Sequence, residues 1–285
     1  MIGRPPPTLC IYHGSCSDGF SAAWAVHKKF GNFVRFYPAT YGHPPPEVAG
    51  EHVVIADFSY KEPVLRGMCN RAASITVLDH HQTAEEDLRH LLSDNIISGI
   101  FDTDRSGAVI TWQYYHKEPV PNFLLHVQDR DLLRFLLRDT KEILACATSH
   151  PYDFEIWDEL VRRCEHPLLR KLLIVEGCAI ERKHLRDVKL LLAMTCRRMV
   201  IGGIDVPVAN ITGHLASTSA DMIGAGEVFT TSYLDRQNYR EFSLRSQENG
   251  GIDVAEIAKG YGGGGHKNSA GFRVPFTDLE RLGLL

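Results

Sequence analysis

Residues 8–115 alternate between short apolar runs and segments with helical spacing, and this alternation limits the architecture more than any other feature of the chain. TLCIYH, NFVRFYPA, HVVIADFS, SITVLDHH and IISGIFD read as strands. DGFSAAWAVHKKF, PVLRGMCNRAA and SGAVITWQYYHKE read as helices among them. Strands that are apolar along most of their length and separated by helices predict a parallel α/β sheet covered on both faces. From Pro121 to about Thr195 the pattern is nearly all helical, and LLRKLLIVEGCAIERKHLRDVKLLLAM reads as one long helix or two joined near Gly177. Beyond Thr195, CRRMVIGGIDVPVANI reads as a hairpin turning near Gly202–Gly203 and EVFTTSYLDRQNYREFSLRS as a second turning near Asp235. IDVAEIAKG has helical spacing and FRVPF closes with a strand. The expectation is a parallel-sheet domain with a helical connector over 1–194 and a smaller α+β domain over 195–285.

In open parallel sheets, ligands collect outside the carboxyl ends of the strands. Here the strands end in His13, in Asp57, in Asp79-His80-His81 and in Asp102. A single strand-end aspartate is more often a helix cap or turn residue. Four strands ending in the same chemistry point instead to a divalent-metal site. Carboxylates mixed with imidazoles suit Mn²⁺, Fe²⁺, Co²⁺ or Zn²⁺ with open coordination positions. Such a cluster could hold two cations ~4 Å apart, polarise a phosphoryl group and activate water. His80 and His81 leave an extended backbone in opposite directions, so one reads as a ligand and the other as a partner to the substrate. In CIYHGSCSDGF, Cys16 and Asp18 stand beside His13. The second signal is GYGGGGHKNSAGF, where consecutive glycines free backbone N–H groups to approach an anion. His266 follows them, in what reads as a loop entering a small-residue helix.

Composition narrows the setting. Hydrophobic content of 44% and charged content of 23% in 285 residues are those of a soluble globular protein. No apolar run approaches the ~20 residues of a membrane span, and MIGRPPPTLC lacks the apolar core of a signal peptide. Seven cysteines without a pairing pattern suggest reduced thiols and a cytoplasmic setting. The net charge of −4 divides into −7 over 1–160, +6 over 161–198 and −3 over 199–285. The acidic front half suits a cation site. The basic stretch reads first as a solvated helix face, with contact to a polyanion as the alternative. Nothing resembles the basic surface of a protein that holds long duplexes.

Val77-Leu78-Asp79-His80-His81 resembles the signature of the DHH phosphoesterase superfamily, and GGGGHKNSAGF is similar to the glycine-rich motif of the associated C-terminal DHHA1 domain. The ordered set of motifs covers nearly the whole chain. The resemblance implies a metal-dependent phosphoesterase with its active site in the cleft between two domains. It implies two ions, usually Mn²⁺, with Zn²⁺, Fe²⁺, Co²⁺ or Mg²⁺ as alternatives. Carried over residue by residue, Asp57 would bridge the ions, with His13, Asp18, His80 and Asp129 as further ligands. Asp131 competes with Asp129 for the last place. Asp79 would hold the site in register and His81 would face the scissile phosphate. Arg245, Gly263, Gly264, Gly265 and His266 would hold the substrate phosphate. Cys16 departs from the pattern, because many relatives carry an aspartate there. Either its thiolate ligates and favours Zn²⁺ or Fe²⁺, or it stands aside as a buried thiol.

The modest charge suits a short oligonucleotide or small nucleotide, linear or cyclic, whose base Phe101 or Tyr261 could stack. Two alternatives stand beside this phosphodiesterase reading. An inorganic pyrophosphatase shares the metal motifs, although the GGGGH stretch speaks against that branch. A nucleotide-binding protein with an impaired metal centre is the other. No membrane partner is expected, and a homodimer is left open.

Overall fold

The structure is a computed structural model and describes residues 5–14, 16–247 and 251–285, apart from the side chains of His214 and His266. The chain forms two compact units, Met1–Glu181 and Arg182–Leu285. The first comprises β1 (Leu9–His13), α1 (Ser17–Phe30), β2 (Arg35–Ala39), β3 (His52–Ala56), α2 (Glu62–Cys69), β4 (Ser74–Asp79), α3 (Gln82–Ser93), β5 (Ser98–Phe101) and α4 (Gly107–Tyr115). The helices α5 (Asn122–Asp131), α6 (Thr140–Thr148), α7 (Phe154–Glu165) and α8 (Pro167–Thr195) follow. The five strands form a parallel sheet in the order β2-β1-β3-β4-β5.

Both faces of this sheet are covered, which is why its strands are apolar at successive positions. Leu9 and Ile11 of β1 pack with Val53, Ile55, Leu88 and Leu91 on one face. Cys10 and Tyr12 point the other way, into a core with Val54, Trp24, Ile110 and Phe123. From the neighbouring strands β1 and β3 the chain departs in opposite directions, to β2 and to β4. Their carboxyl ends therefore flank the crevice that opens at a topological switch point.

The helix α3 is an addition to the elements read from the sequence. QTAEEDLRHLLS buries only Leu88 and Leu91 within an otherwise polar segment, so its apolar stripe is thin. α8 runs as one 29-residue helix through Gly177. Its later residues Val188 and Leu192 pack on Ala209 and Ile211, and the division between the units falls inside this helix.

The second unit continues with β6 (Arg197–Ile201), β7 (Ile204–Asn210), α9 (Ala216–Ile223), β8 (Thr230–Asp235), β9 (Tyr239–Arg245), α10 (Val254–Gly260), β10 (Gly264–His266), β11 (Ser269–Pro275) and α11 (Phe276–Leu279). Its six-stranded mixed sheet has the order β10-β11-β9-β8-β7-β6, with β7 and β8 parallel. The hairpin expected near Gly202–Gly203 is present, and both glycines have positive φ (59° and 80°), as a two-residue strand connection of that kind requires.

One expectation is corrected here. GGGGHKNSAGF does not enter a helix: Gly264–His266 pairs antiparallel with Ser269–Gly271 in a tight hairpin. A Cβ on Gly263 would lie 2.1 Å from the carbonyl oxygen of Gly271, and one on Gly265 would lie 2.5 Å from that of Ser269. The glycines permit close strand approach, and the small residues that follow continue the sheet.

A candidate metal centre at the ends of the parallel strands

At the end of β1, His13 lies next to the β3 terminus, since Tyr12 pairs with Ala56 in the ladder. The chain then turns into α1. Cys16, rather than an aspartate, caps that helix, its sulfur accepting the Gly19 N–H at 3.2 Å. Asp18, in the first turn, is fully buried. Its Oδ1 accepts from the Ala108 N–H at the start of α4 (3.1 Å), while Oδ2 is buried without a hydrogen-bond partner.

Asp57 is the centre of the arrangement. It follows β3 with φ of 54°, in the left-handed region that a non-glycine residue seldom occupies. Its carboxylate faces two donor sets with its two oxygens. Oδ2 lies 3.2 Å from Cys16 Sγ and 3.7 Å from His13 Nδ1. Oδ1 lies 3.2 Å from His80 Nε2 but outside hydrogen-bonding geometry, so it too is a buried oxygen without a hydrogen-bond partner. On that side His80 Nε2 is also 3.4 Å from Asp131 Oδ2. His13, Cys16 and Asp57 offer ligand atoms within 4.8 Å of one another, as do Asp18, His80 and Asp131.

The electrostatics ask for a cation. Among the described residues no lysine or arginine pairs with Asp18, Asp57 or Asp131. Burial and the charge of Asp57 push the Asp131 carboxyl up to about 6 and Asp18 well above its ordinary value. Burial and the same negative charges raise the Cys16 thiol. Burial would lower His80, but the Asp57 and Asp131 carboxylates outweigh it and hold the imidazole at about 10. Asp57, despite its burial, is held below the usual carboxylate range by His13 and His80. With Asp18 and Asp57 buried and several acidic groups opposing one another's ionisation, the cluster carries a strain that a divalent ion would relieve. The mixed nitrogen, oxygen and sulfur donors, with two orphaned carboxylate oxygens among them, fit such ions.

Asp79 is fully buried and holds its surroundings. It accepts from the Ser59 hydroxyl (2.7 Å), from the His80 N–H (2.8 Å) and from His81 Nδ1 (2.7 Å). That contact commits His81 Nδ1 as the donor to Asp79. Although burial opposes it, the Asp79 carboxylate raises the His81 imidazole above its ordinary value. Tyr41, which sequence reasoning overlooked, places its ring 5.4 Å from that of His13 and 6.5 Å from that of His81. It lies in a loop without periodic pattern, so no sequence signal marked it.

Two expected residues are elsewhere. Asp129 does not join the cluster: its carboxylate accepts from the Leu136 and Leu137 N–H groups (2.8 and 3.1 Å) and from the Thr140 hydroxyl (2.6 Å). Arg170 donates to His126 Nε2, which leaves Nδ1 to donate to Thr140, so a chain of hydrogen bonds ends on Asp129. Asp131, the competitor, occupies the place beside His80. Asp102 ends β5 but pairs with Arg105 at 2.7 Å and caps the Asp104 N–H, a turn role.

Gly107 opens α4 against Asp57. A Cβ there would lie 2.4 Å from the Asp57 Cβ and 2.9 Å from Oδ1. Gly107→Ala is therefore expected to displace the carboxylate and weaken metal binding by about 10–100-fold, as loss of supporting contacts does. Calorimetric titration with Mn²⁺ checks this, and unchanged affinity would refute it.

In the second unit a cavity of about 410 Å³ is lined in part by Ser232, Ser243, Arg245, Gly264, Gly265 and Ser269. Arg245 Nη1 donates to Ser243 Oγ and to the Leu244 carbonyl, both at 2.9 Å. Burial holds its guanidinium below its ordinary value. Among the described residues no carboxylate pairs with it, so it is a partly buried cation suited to an anion. Gly263 lies beside this wall, whereas the side chain of His266, expected to help hold a phosphate, lies outside what the structure describes.

No protein-family model matches the chain. An uncharacterized protein of Acanthamoeba polyphaga mimivirus is 26% identical over 319 residues, spanning 100% of this chain and 73% of that protein. Among solved structures, the chain is similar to the DHH domain of a protein described as a member of a family of ribosomal proteins, with a TM-score of 0.66 and 14% identity over 98% of this chain and 84% of that one. It is also similar to the pGpG-specific phosphodiesterase PggH from Vibrio cholerae (TM-score 0.53, 15% identity, 96% and 95% covered). RecJ from Thermus thermophilus in complex with Mn²⁺ gives a TM-score of 0.52 at 14% identity, with 97% of this chain and 51% of that one covered. The likeness of fold to these structures runs along nearly the whole chain.

Proposed function

We propose that the protein is a metal-dependent phosphoesterase that hydrolyses phosphodiester or terminal phosphate bonds of short oligonucleotides or small nucleotides. The observation that carries this reading is the Asp57 carboxylate, whose two oxygens face two separate donor sets. A shared carboxylate of this kind suits a pair of divalent ions, Mn²⁺ first among them. The similarity of fold to a phosphodiesterase and to a Mn²⁺ complex of RecJ supports the same class. His13 and Asp57 would hold one ion, and Asp18, His80 and Asp131 the other, with Asp57 common to both. Ions bound there supply Lewis acidity to a phosphoryl oxygen and lower the pKa of water.

The protein's own groups do the rest. Asp79 orients His81, and the raised imidazole is suited to donate a hydrogen bond to a phosphate oxygen as charge develops there. Arg245 binds a phosphate of the substrate through its planar fork. Arg245→Ala is expected to raise KM by roughly 10–100-fold with a smaller change in kcat, since hydrogen bonds to charged groups contribute about 1.5–3 kcal/mol. Equal losses in kcat and kcat/KM would place Arg245 in the chemical step instead.

The deciding experiment assays chelator-treated protein, with and without added Mn²⁺, on a dinucleotide, a cyclic dinucleotide, a nucleoside bisphosphate and pyrophosphate. Mn²⁺-dependent release of nucleotide supports the reading. Turnover of pyrophosphate alone would make the protein a pyrophosphatase, and nucleotide binding without turnover would make it a sensor.

A further inference from the structure

We propose that Cys16 is a sulfur ligand to the ion held by His13 and Asp57, so that the two halves of the centre prefer different metals. This rests on the metal-centre reading above. The sulfur lies 3.3 Å from His13 Nδ1 and 3.2 Å from Asp57 Oδ2, and the nitrogen and oxygen are 3.7 Å apart. Donor atoms sharing one ion at bond lengths of about 2.0–2.3 Å have separations of this size. The opposite half offers only harder atoms: the carboxylates of Asp18 and Asp131 and the imidazole of His80. Two orphaned buried oxygens, Asp18 Oδ2 and Asp57 Oδ1, lie in that opposite half of the same centre.

The helix start presents a donor to the sulfur as well. Cys16 caps the 14-residue helix α1, and the Gly19 N–H already points at the sulfur. A helix N-terminus favours negative charge there. On metal binding the S–H proton leaves to solvent, and the contact with Asp57 is replaced by a common ion. A nitrogen–sulfur–oxygen set favours Zn²⁺, Fe²⁺ or Co²⁺, whereas an oxygen–nitrogen–oxygen set accepts Mn²⁺ or Mg²⁺. The inference is a mixed-metal centre with the softer ion beside Cys16.

A helix cap needs only an acceptor, and serine would serve equally. Cys16→Ser therefore keeps the cap and removes the soft donor, and Cys16→Asp installs a hard one. Reduced, metal-free protein is titrated with Co²⁺, and the near-ultraviolet sulfur-to-cobalt charge-transfer band is followed together with the ions bound per chain. The parent is expected to show the band, and both variants are expected to lose it while retaining the Asp18–His80–Asp131 ion. Cys146, which lies near His150 and Glu176, is the other thiol in a donor cluster among the described residues, so Cys146→Ala serves as the control and is expected to keep the band. Co²⁺ uptake by the parent without the band, or a band that survives in both Cys16 variants, overturns the inference and leaves the metal centre standing. A parent that takes up no Co²⁺ overturns both.

Discussion

Replacing Asp57 by asparagine is expected to reduce the bound Mn²⁺ from two ions per chain to one or none, and to lower phosphoester hydrolysis by about 10³-fold or more. Asparagine fits the same space, so the effect isolates the charge and the second donor oxygen. In the parent, Oδ2 faces His13 and Cys16 while Oδ1 faces His80. An amide offers one oxygen to one side and a non-ligating NH₂ to the other. The substitution also removes a negative charge that holds the His80 imidazole up, so its titration moves downward from about 10. Metal content by mass spectrometry and steady-state rates at saturating Mn²⁺ check the first part, and an NMR pH titration of metal-free protein checks the second. Retention of two ions and of activity would remove Asp57 from the centre.

Asp129 and Asp131 are expected to fail in opposite ways. Asp131→Ala removes the carboxylate 3.4 Å from His80 Nε2 and should weaken Mn²⁺ binding by about 10–100-fold or more, with activity lost in parallel. The fold should tolerate it, because Asp131 is itself raised to about 6 by burial and by Asp57, a sign of an unfavourable charge. Asp129→Ala instead deprives the Leu136 and Leu137 N–H groups and the Thr140 hydroxyl of their acceptor. That should cost about 2–4 kcal/mol of stability, with metal affinity retained at temperatures where the protein stays folded. Thermal melting and Mn²⁺ titration of the two variants side by side test the pair. If Asp129→Ala loses metal without loss of stability, the assignment is reversed.

The reason this pair was hard to resolve from sequence is geometrical. Residues two apart on a helix differ by about 200° in direction, so only one of the two can face the strand ends. The rotation of α5 settles it, and that rotation is set by packing of Phe123, Leu124 and Val127. A usable signal was present: Leu124, Val127 and Asp131 fall at i, i+3 and i+7 of one stripe. The strand ends were legible for a simpler reason. Apolar runs of five or six residues followed at once by His13, Asp57 or Asp79-His80-His81 give both the element and the place where its chemistry emerges. Asp102 shows the limit, since a strand end next to Arg105 satisfies its carboxylate locally. The glycine run shows another, because close strand approach and a phosphate loop demand the same residue. Cys16 was legible as a departure from a pattern, but its second role as a helix cap needed the backbone geometry.

The central claim is a pair of ions sharing one carboxylate. Anomalous diffraction from crystals grown metal-free and soaked in Mn²⁺ tests it most directly. Two peaks about 3.5–4 Å apart, one on each side of the Asp57 carboxylate, are the predicted result. A single peak, or peaks away from Asp57, would contradict it.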